Sequence, residues 1–192
     1  MLIEQVPTVI RKIFPKTVWR LPKKEKTVYL TFDDGPIPEV TPYVLELLRQ
    51  HNIKATFFCV GENVKKHPDI FQMILNDGHT IGNHTYNHLA GLTNFSKKYI
   101  ENVYKANEHV NSNLFRPPHG TLRYGQFFIL RKKFFIVFWD TGNPGSYVAA
   151  GIFADWQGGA LSPGYAGGNP APADGTYPNF SCAGRSCPPI LF

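Results

Sequence analysis

Between residues 27 and 140, segments whose hydrophobic pattern is typical of strands alternate with segments whose pattern is typical of helices. Runs rich in β-branched and aromatic residues predict strands or short extended segments: Thr27–Phe32, Ala55–Val60, His79–Asn83, Leu114–Arg116 and Phe134–Trp139. Apolar residues three and four positions apart predict helices: Glu39–Gln50, Pro68–Asn76, Ser96–Asn111 with Ser96 as N-cap, and Phe127–Lys133. Strand–helix units repeated at this length are typical of an α/β fold with a parallel sheet or a barrel.

The composition changes after residue 140. Residues 141–192 contain no lysine and only three charged residues, while Gly, Ala and Pro dominate. We therefore divide the chain into an N-terminal extension (1–26), a strand–helix domain (27–140) and a tail of doubtful origin (141–192). The domain favours residues that AT-rich codons encode, and the tail favours residues that GC-rich codons encode. One hypothesis is a frameshifted or fused tail, and the alternative is a genuine flexible Gly/Pro tail.

Charge and hydropathy narrow the classes of partner and location. The formal net charge of +6 indicates a solvated basic surface, with attraction to acidic glycans or a membrane face as the alternative. Lys and Arg are not interleaved with aromatic residues as a nucleic-acid surface requires, so we expect no nucleic-acid partner. No apolar run reaches the length of a membrane span, and residues 1–26 lack the apolar core of a signal peptide. The expected location is therefore the cytoplasm.

The three cysteines predict no disulfide framework, because an odd number without a secretory leader argues against one. Cys59 lies inside the strand predicted for Ala55–Val60 and reads as a small buried hydrophobe. Cys182 and Cys187 lie in the tail without a second Cys or His pair, which disfavours a structural zinc site.

Two adjacent carboxylates, Asp33 and Asp34, follow the first predicted strand in Thr31-Phe-Asp-Asp-Gly-Pro36. Parallel folds place catalytic groups at the ends of strands. Side chains at neighbouring positions diverge, so one carboxylate can bind a metal while the other takes a proton. The alternative interpretation is an Asp-Gly-Pro turn without chemistry.

Two imidazoles occur in His84-Thr-Tyr-Asn-His88. They would share one face if the segment were helical, close enough to bind one ion. Two His and an Asp from another strand end would form an open N/O site of the kind that holds a catalytic metal. A His pair alone is more often a coincidence of the surface.

The third motif is Arg116-Pro-Pro-His-Gly120. Its two prolines restrict the backbone before a glycine. An arginine favours the charged form of a neighbouring carboxylate, and rigid backbone N–H groups can stabilise an oxyanion. The alternative is a stiff structural loop.

In this order, the three motifs resemble the polysaccharide deacetylase family, the NodB-homology domain of carbohydrate esterase family 4, over about Thr27 to Asp140. The resemblance implies a distorted (β/α) barrel, incomplete here at its C-terminal strands. It implies that Asp33 is the catalytic base and that Arg116 orients it. It also implies that Asp34, His84 and His88 form a metal triad. The backbone N–H at the place of His119 is implied to bind the oxyanion.

The implied function is a metal-dependent hydrolase that removes N-acetyl groups from amino sugars of a polysaccharide or oligosaccharide, cleaving C–N bonds other than peptide bonds. Zinc is the expected cofactor, with cobalt, nickel or manganese as alternatives. The expected partner is the acetylated glycan. The cation would polarise the acetyl carbonyl and acidify water, and Asp33 would take the proton as water attacks.

The family's general acid is a histidine on a late strand, and no histidine follows His119 in this sequence. We therefore expect impaired catalysis, or alternatively a non-catalytic or misassembled remnant that binds metal or glycan without turnover. A third reading is a hydrolase of small amides. Loss of that strand would also leave an unpaired sheet edge, so we expect a weakly stable, aggregation-prone protein.

Resequencing the gene around the codon for Asp140 tests the frameshift hypothesis for the tail. We expect an interruption of the reading frame at that point, because composition changes there within a few residues. An uninterrupted frame, with matching codon usage in relatives, would contradict the hypothesis.

Overall fold

The computed structural model describes residues 8–19, 28–139, 141–142 and 150–154. Within these ranges seven strands form: β1 Val28–Asp33, β2 Thr56–Cys59, β3 Thr80–Asn83, β4 Leu114–Phe115, β5 Phe135–Ile136, β6 Thr141–Gly142 and β7 Ala150–Ala154. Six α-helices form in the same ranges: α1 Thr8–Ile13, α2 Thr41–Gln50, α3 Gly61–Lys66, α4 Pro68–Asn76, α5 Ser96–Val110 and α6 Tyr124–Leu130. A 3₁₀ turn spans Pro118–Gly120.

The strands form one sheet in the order β5-β4-β3-β2-β1-β7-β6. Strands β1 to β5 are parallel and follow chain order, as successive strand–helix units require. The last two strands are antiparallel, and β7 pairs with β1. The parallel part confirms the predicted α/β class, and it places the carboxyl ends of β1, β3 and β4 along one edge.

The two faces of the strands carry different residues, because side chains alternate along a strand. One face packs against the helices, where strand residues such as Phe57 and Phe115 join two apolar clusters. The other face carries Thr31, Asp33 and Phe58. Gly82 makes room for the ring of Phe58, since a Cβ there would lie 2.4 Å from that ring. Asp33 therefore points away from the helix-side core.

Both outer edges of the parallel strands are paired, so the expectation of an unpaired edge is wrong. Residues outside the expected strands supply the pairing. Val18 forms a parallel bridge beside β5: its N–H donates to the carbonyl of Ile136, and its carbonyl accepts from Phe138, both at 2.9 Å. Trp19 stacks on Phe138 at 4.2 Å between ring centroids. At the other edge β7 covers β1.

Two helices were missed, and the predicted starts of two others need correction. Helices α1 and α3 were not predicted, because neither has an apolar repeat long enough to recognise. Phe95 rather than Ser96 occupies the N-cap position of α5, and Ser96 is its first helical residue. Helix α6 begins three residues before the predicted Phe127, since the side chain of Gln126 accepts a hydrogen bond from the backbone N–H of Arg123 and fixes the start there.

Cys59 is fully buried, as predicted, and burial raises the pKa of its thiol. Cys182, Cys187 and most of the tail lie outside the described residues, so the three-part division of the chain stays a prediction. None of the helices in the described ranges is long and apolar enough to cross a membrane.

A buried histidine remote from the site gives a prediction about pH. Burial lowers the pKa of His79, with a smaller contribution in the same direction from Lys54 and Arg49 and an opposing one from Asp77. The unfolded chain therefore binds a proton at His79 more readily than the folded chain. Stability from this residue is complete above pH ~6.5 and is lost as the pH falls below it.

We expect the free energy of unfolding of His79→Gln to fall less than that of the wild type between about pH 7.5 and 5. Denaturant titrations across this range measure the difference. The exposed His51, replaced in the same way, should leave the wild-type profile unchanged. Coincident profiles for the wild type and His79→Gln would contradict the assignment.

Candidate metal centre

The predicted site residues lie at the carboxyl ends of three parallel strands, β1, β3 and β4. Asp33 ends β1 and Asp34 follows it, His84 follows β3, and Arg116 follows β4. Because parallel strands end at the same edge of a sheet, the fold itself brings these side chains together. His88 reaches the same place from the loop after β3.

Asp34, His84 and His88 present three donor atoms to one small volume. Asp34 Oδ1 lies 3.5 Å from His84 Nε2 and 3.1 Å from His88 Nε2, and all three donor atoms lie within 4.8 Å of one another. Two ligands at about 2.05 Å from a tetrahedral cation are roughly 3.4 Å apart. The distances from Asp34 Oδ1 to the two histidine nitrogens, 3.5 and 3.1 Å, lie on either side of this separation between ligands.

The two histidines converge through an irregular loop, so the helical segment on which a shared face depended does not form. Residues 84–90 are not helical. Thr85 and His88 have left-handed backbone conformations, with φ of 65° and 55°. These two reversals turn the chain back toward β1. Asp34 also has a positive φ, 70°, which separates its side chain from that of Asp33.

The hydrogen bond of His84 orients its imidazole. Nδ1 lies 2.7 Å from the carbonyl oxygen of Arg116, so it carries the proton that is donated there. The Nε2 lone pair then faces Asp34. Burial lowers the pKa of His84, which favours the neutral form that binds cations.

The surroundings of Asp34 fit a cation. Burial opposes its ionisation, but interaction with His88 and the charges of His84, His88 and His119 outweigh burial and lower its pKa. The same carboxylate raises the pKa of His88 against the effect of burial. Oδ1 of Asp34 is buried and has no hydrogen-bond partner among the described residues. One carboxylate oxygen and two imidazole nitrogens are a donor set that zinc and similar ions accept.

Asp33 lies next to this cluster in a separate hydrogen-bonded pair. Arg116 Nη1 donates to Asp33 Oδ1 at 2.7 Å and to Thr31 Oγ1 at 2.8 Å. Asp33 is only 5% exposed and Arg116 is fully buried. The guanidinium lies 4.1 Å from the ring centroid of Phe58 and 5.6 Å from that of Trp139. These contacts hold Arg116, and through it the Asp33 carboxylate, in one orientation.

His119 lies at the open rim of the cluster. Its backbone is left-handed, with φ of 57°, and its exposed ring packs edge-on against His88 with 4.7 Å between centroids. Gly120 follows with φ of +63°, where a Cβ would lie 2.9 Å from the Trp139 ring. The Arg116–Gly120 motif therefore places its histidine beside the three donors.

Sequence reasoning missed the polar residues that support the loop after β3. Asn83 is fully buried; its Nδ2 donates to the Val103 carbonyl at 2.9 Å, and its Oδ1 accepts from the N–H of Thr85 at 2.9 Å. Asn102, on α5, accepts from the N–H of Tyr86. An asparagine in the middle of a predicted helix is locally unfavourable, and that is the signal that could have identified Asn102.

Comparison with known proteins gives the class of the molecule. The family model described as polysaccharide deacetylase matches residues 20–126, which is more than half of the chain. The chain therefore belongs to the polysaccharide deacetylase family. The predicted family is confirmed, and with it the α/β fold of the deacetylase type.

Three similar proteins illustrate the activities known among the relatives of this chain. The chain is 38% identical to a peptidoglycan-N-acetylglucosamine deacetylase of Bacillus cereus over 71% of this chain and 49% of that protein. It is 41% identical to a chitooligosaccharide deacetylase of Azorhizobium caulinodans over 53% of this chain and 51% of the relative. The crystal structure of the Bc1960 peptidoglycan N-acetylglucosamine deacetylase superposes with a TM-score of 0.65 at 37% identity, covering 70% and 65% of the two chains. The chain thus spans about half of the length of the first two relatives.

Removal of one candidate ligand tests the metal centre. We expect His88→Ala to weaken Zn²⁺ or Co²⁺ binding by more than ~100-fold, because even residues behind a ligand contribute 10–100-fold. Isothermal titration of the purified chain measures the change. His51→Ala, at an exposed site, is the matched control and should bind as the wild type does. Unchanged affinity in His88→Ala would refute the assignment of this ligand.

Proposed function

We propose that this protein is a metal-dependent deacetylase that hydrolyses the N-acetyl groups of amino sugars in a polysaccharide or oligosaccharide. The observation that carries the proposal is the position of the three-donor cluster of Asp34, His84 and His88 beside the buried pair of Asp33 and Arg116. Two chemically different carboxylates, adjacent in sequence, can serve one reaction: one as a ligand and one as a base.

The three protein donors suit a catalytic cation rather than a structural one, because catalytic sites keep a position open for substrate or water. A divalent cation held there would polarise the acetyl carbonyl and acidify water. The donor set accepts several divalent ions, and zinc is our first candidate.

Asp33 is the proposed general base. The hydrogen bond from Arg116 occupies Oδ1, and we assign proton transfer to the second carboxylate oxygen. As water attacks the acetyl carbon, Asp33 accepts its proton. Arg116 keeps the carboxylate oriented because its own guanidinium is held by Thr31 and by the Phe58 ring.

The negative charge that develops on the acetyl oxygen needs donors fixed in advance. We assign part of this role to the backbone N–H of His119, in the 3₁₀ turn that Pro117 and Pro118 restrict. His119 occupies the place at which the family has an aromatic residue. Because a backbone group does this work, a histidine side chain there need not abolish it.

Protonation of the leaving amine is the step for which the sequence provides no candidate histidine. No histidine follows His119 in the sequence. Losing a general acid lowers rates by ~10²–10⁴-fold. We therefore propose that turnover is slow, while cation binding is unaffected.

The proposed substrate is an acetylated glycan, since similar proteins act on peptidoglycan and chitooligosaccharides. Both contain the same acetamide group on a sugar. The same absence of a late histidine favours a second candidate function, which is binding of a cation and a glycan without turnover.

Acetate release separates the two candidates. The wild type and Asp33→Asn are incubated with N-acetylated chito-oligomers or peptidoglycan in the presence of Zn²⁺ or Co²⁺. We expect slow release by the wild type and a further loss of at least ~10²-fold in Asp33→Asn, because the base is removed. Asp69→Asn, at an exposed position on α4, is the control and should match the wild type.

The affinity for Co²⁺, measured on the same samples, completes the test. Asp33→Asn should bind within about threefold of the wild type, since Asp33 is not one of the three donors. Cation binding by the wild type without any acetate release would favour the binding function. Equal rates in the wild type and Asp33→Asn would contradict the role of Asp33.

A further inference from the structure

We infer that Asn102 on α5 and Arg123 at the start of α6 are positioning residues that hold the loop of His88 from two sides and thereby set the affinity for the cation. We define the His88 loop as residues 84–95. The inference rests on the proposed metal site and adds residues that do not touch the cation.

The His88 loop needs support because its backbone is strained. Thr85 and His88 both adopt left-handed conformations, with φ of 65° and 55°. A β-branched residue such as Thr85 is rarely found there, and such residues persist only when surrounding contacts hold them. Without external contacts the loop would relax to other conformations and His88 would leave the cluster.

Asn102 holds the loop on the side of α5. Its Oδ1 accepts from the backbone N–H of Tyr86 at 2.8 Å, and its Nδ2 donates to Oδ1 of Asn87 at 2.9 Å. Tyr86 and Asn87 are the two residues directly before His88. One side chain therefore fixes both the backbone and a side chain of the segment that leads into the candidate ligand.

Arg123 holds the loop on the side of α6. Its Nε and Nη2 both donate to the carbonyl of Leu92, at 2.9 and 2.7 Å. The buried Gln126 adds a bond to the carbonyl of Gly91 at 3.0 Å. A Cβ at Gly91 would lie 2.5 Å from the carbonyl oxygen of Thr121, so the loop and the segment before α6 are in close contact.

His88 therefore lies between two attachments, three residues before the second one begins at Gly91. Asn102 and Arg123 are both only partly buried. Their replacement removes the hydrogen bonds to Tyr86, Asn87 and Leu92 without opening a cavity in the core, which makes both residues suitable for substitution.

Co²⁺ binding to the full chain tests the inference. Asn102→Leu and Arg123→Leu remove the hydrogen bonds and keep much of the side-chain volume. We expect each to weaken Co²⁺ binding by ~10–100-fold, the range for residues that orient ligands. We also expect a changed visible absorption spectrum of the bound cobalt, because His88 would no longer be held in place. Gln72→Leu and Arg49→Leu remove exposed hydrogen bonds elsewhere and serve as controls.

A conservative variant separates positioning from general stability. Asn102→Asp keeps the acceptor for the N–H of Tyr86, so affinity should recover to within about threefold of the wild type. The measurement is made at about 1 M salt, where the Debye length is ~3 Å and the added charge is screened. If leucine unfolds the chain, Asn102→Ser and Arg123→Gln are measured against the same expectations.

Wild-type affinity and spectrum in both leucine variants, or in their substitutes, would overturn the inference and leave the proposed function intact. Weakened affinity with an unchanged cobalt spectrum in all variants, and no recovery in Asn102→Asp, would also overturn it, since that indicates general destabilisation. A wild type that binds no Co²⁺ would overturn the proposed function, and with it this inference.

Discussion

The structure depends on the meeting of a carboxylate oxygen and two imidazole nitrogens in one small, partly buried volume. The buried Oδ1 of Asp34 lies 3.1 Å from His88 Nε2 and 3.5 Å from His84 Nε2. Burial of a carboxylate is costly unless its charge is compensated, and a cation held by these three atoms would compensate for that cost. Three features bring these atoms together: the order of the parallel strands, the left-handed residues of the loops and the hydrogen bond from His84 to the carbonyl of Arg116.

The neighbouring aspartates have different environments because the backbone reverses between them. Asp33 continues the alternation of β1 and pairs with Arg116 in the buried interior, whereas Asp34, with φ of 70°, turns toward the histidines. A single step along the chain thus separates a candidate base from a candidate ligand. Arg116 links the two groups: its guanidinium donates a hydrogen bond to Asp33, and its backbone carbonyl accepts one from Nδ1 of His84.

The sequence was sufficient to predict the five parallel strands, the α/β class and the residues that cluster, since each motif follows a strand and parallel strands end at one edge. It did not predict helices α1 and α3. It was not sufficient for the path of the His88 loop, because an i, i+4 pair is compatible with a helix and only tertiary contacts from Asn83 and Asn102 reveal the actual path. Local patterns also could not show that Val18 and β7 cover the sheet edges, since those pairings join residues far apart in sequence.

X-ray absorption at the zinc edge of the zinc-loaded protein tests the central claim most directly, because it reports the atoms around the cation. The account predicts two imidazole nitrogens and at least one carboxylate oxygen at about 2.0–2.2 Å, with one imidazole lost in His88→Ala. A shell of oxygen atoms without imidazole, or a spectrum that His88→Ala leaves unchanged, would contradict the account.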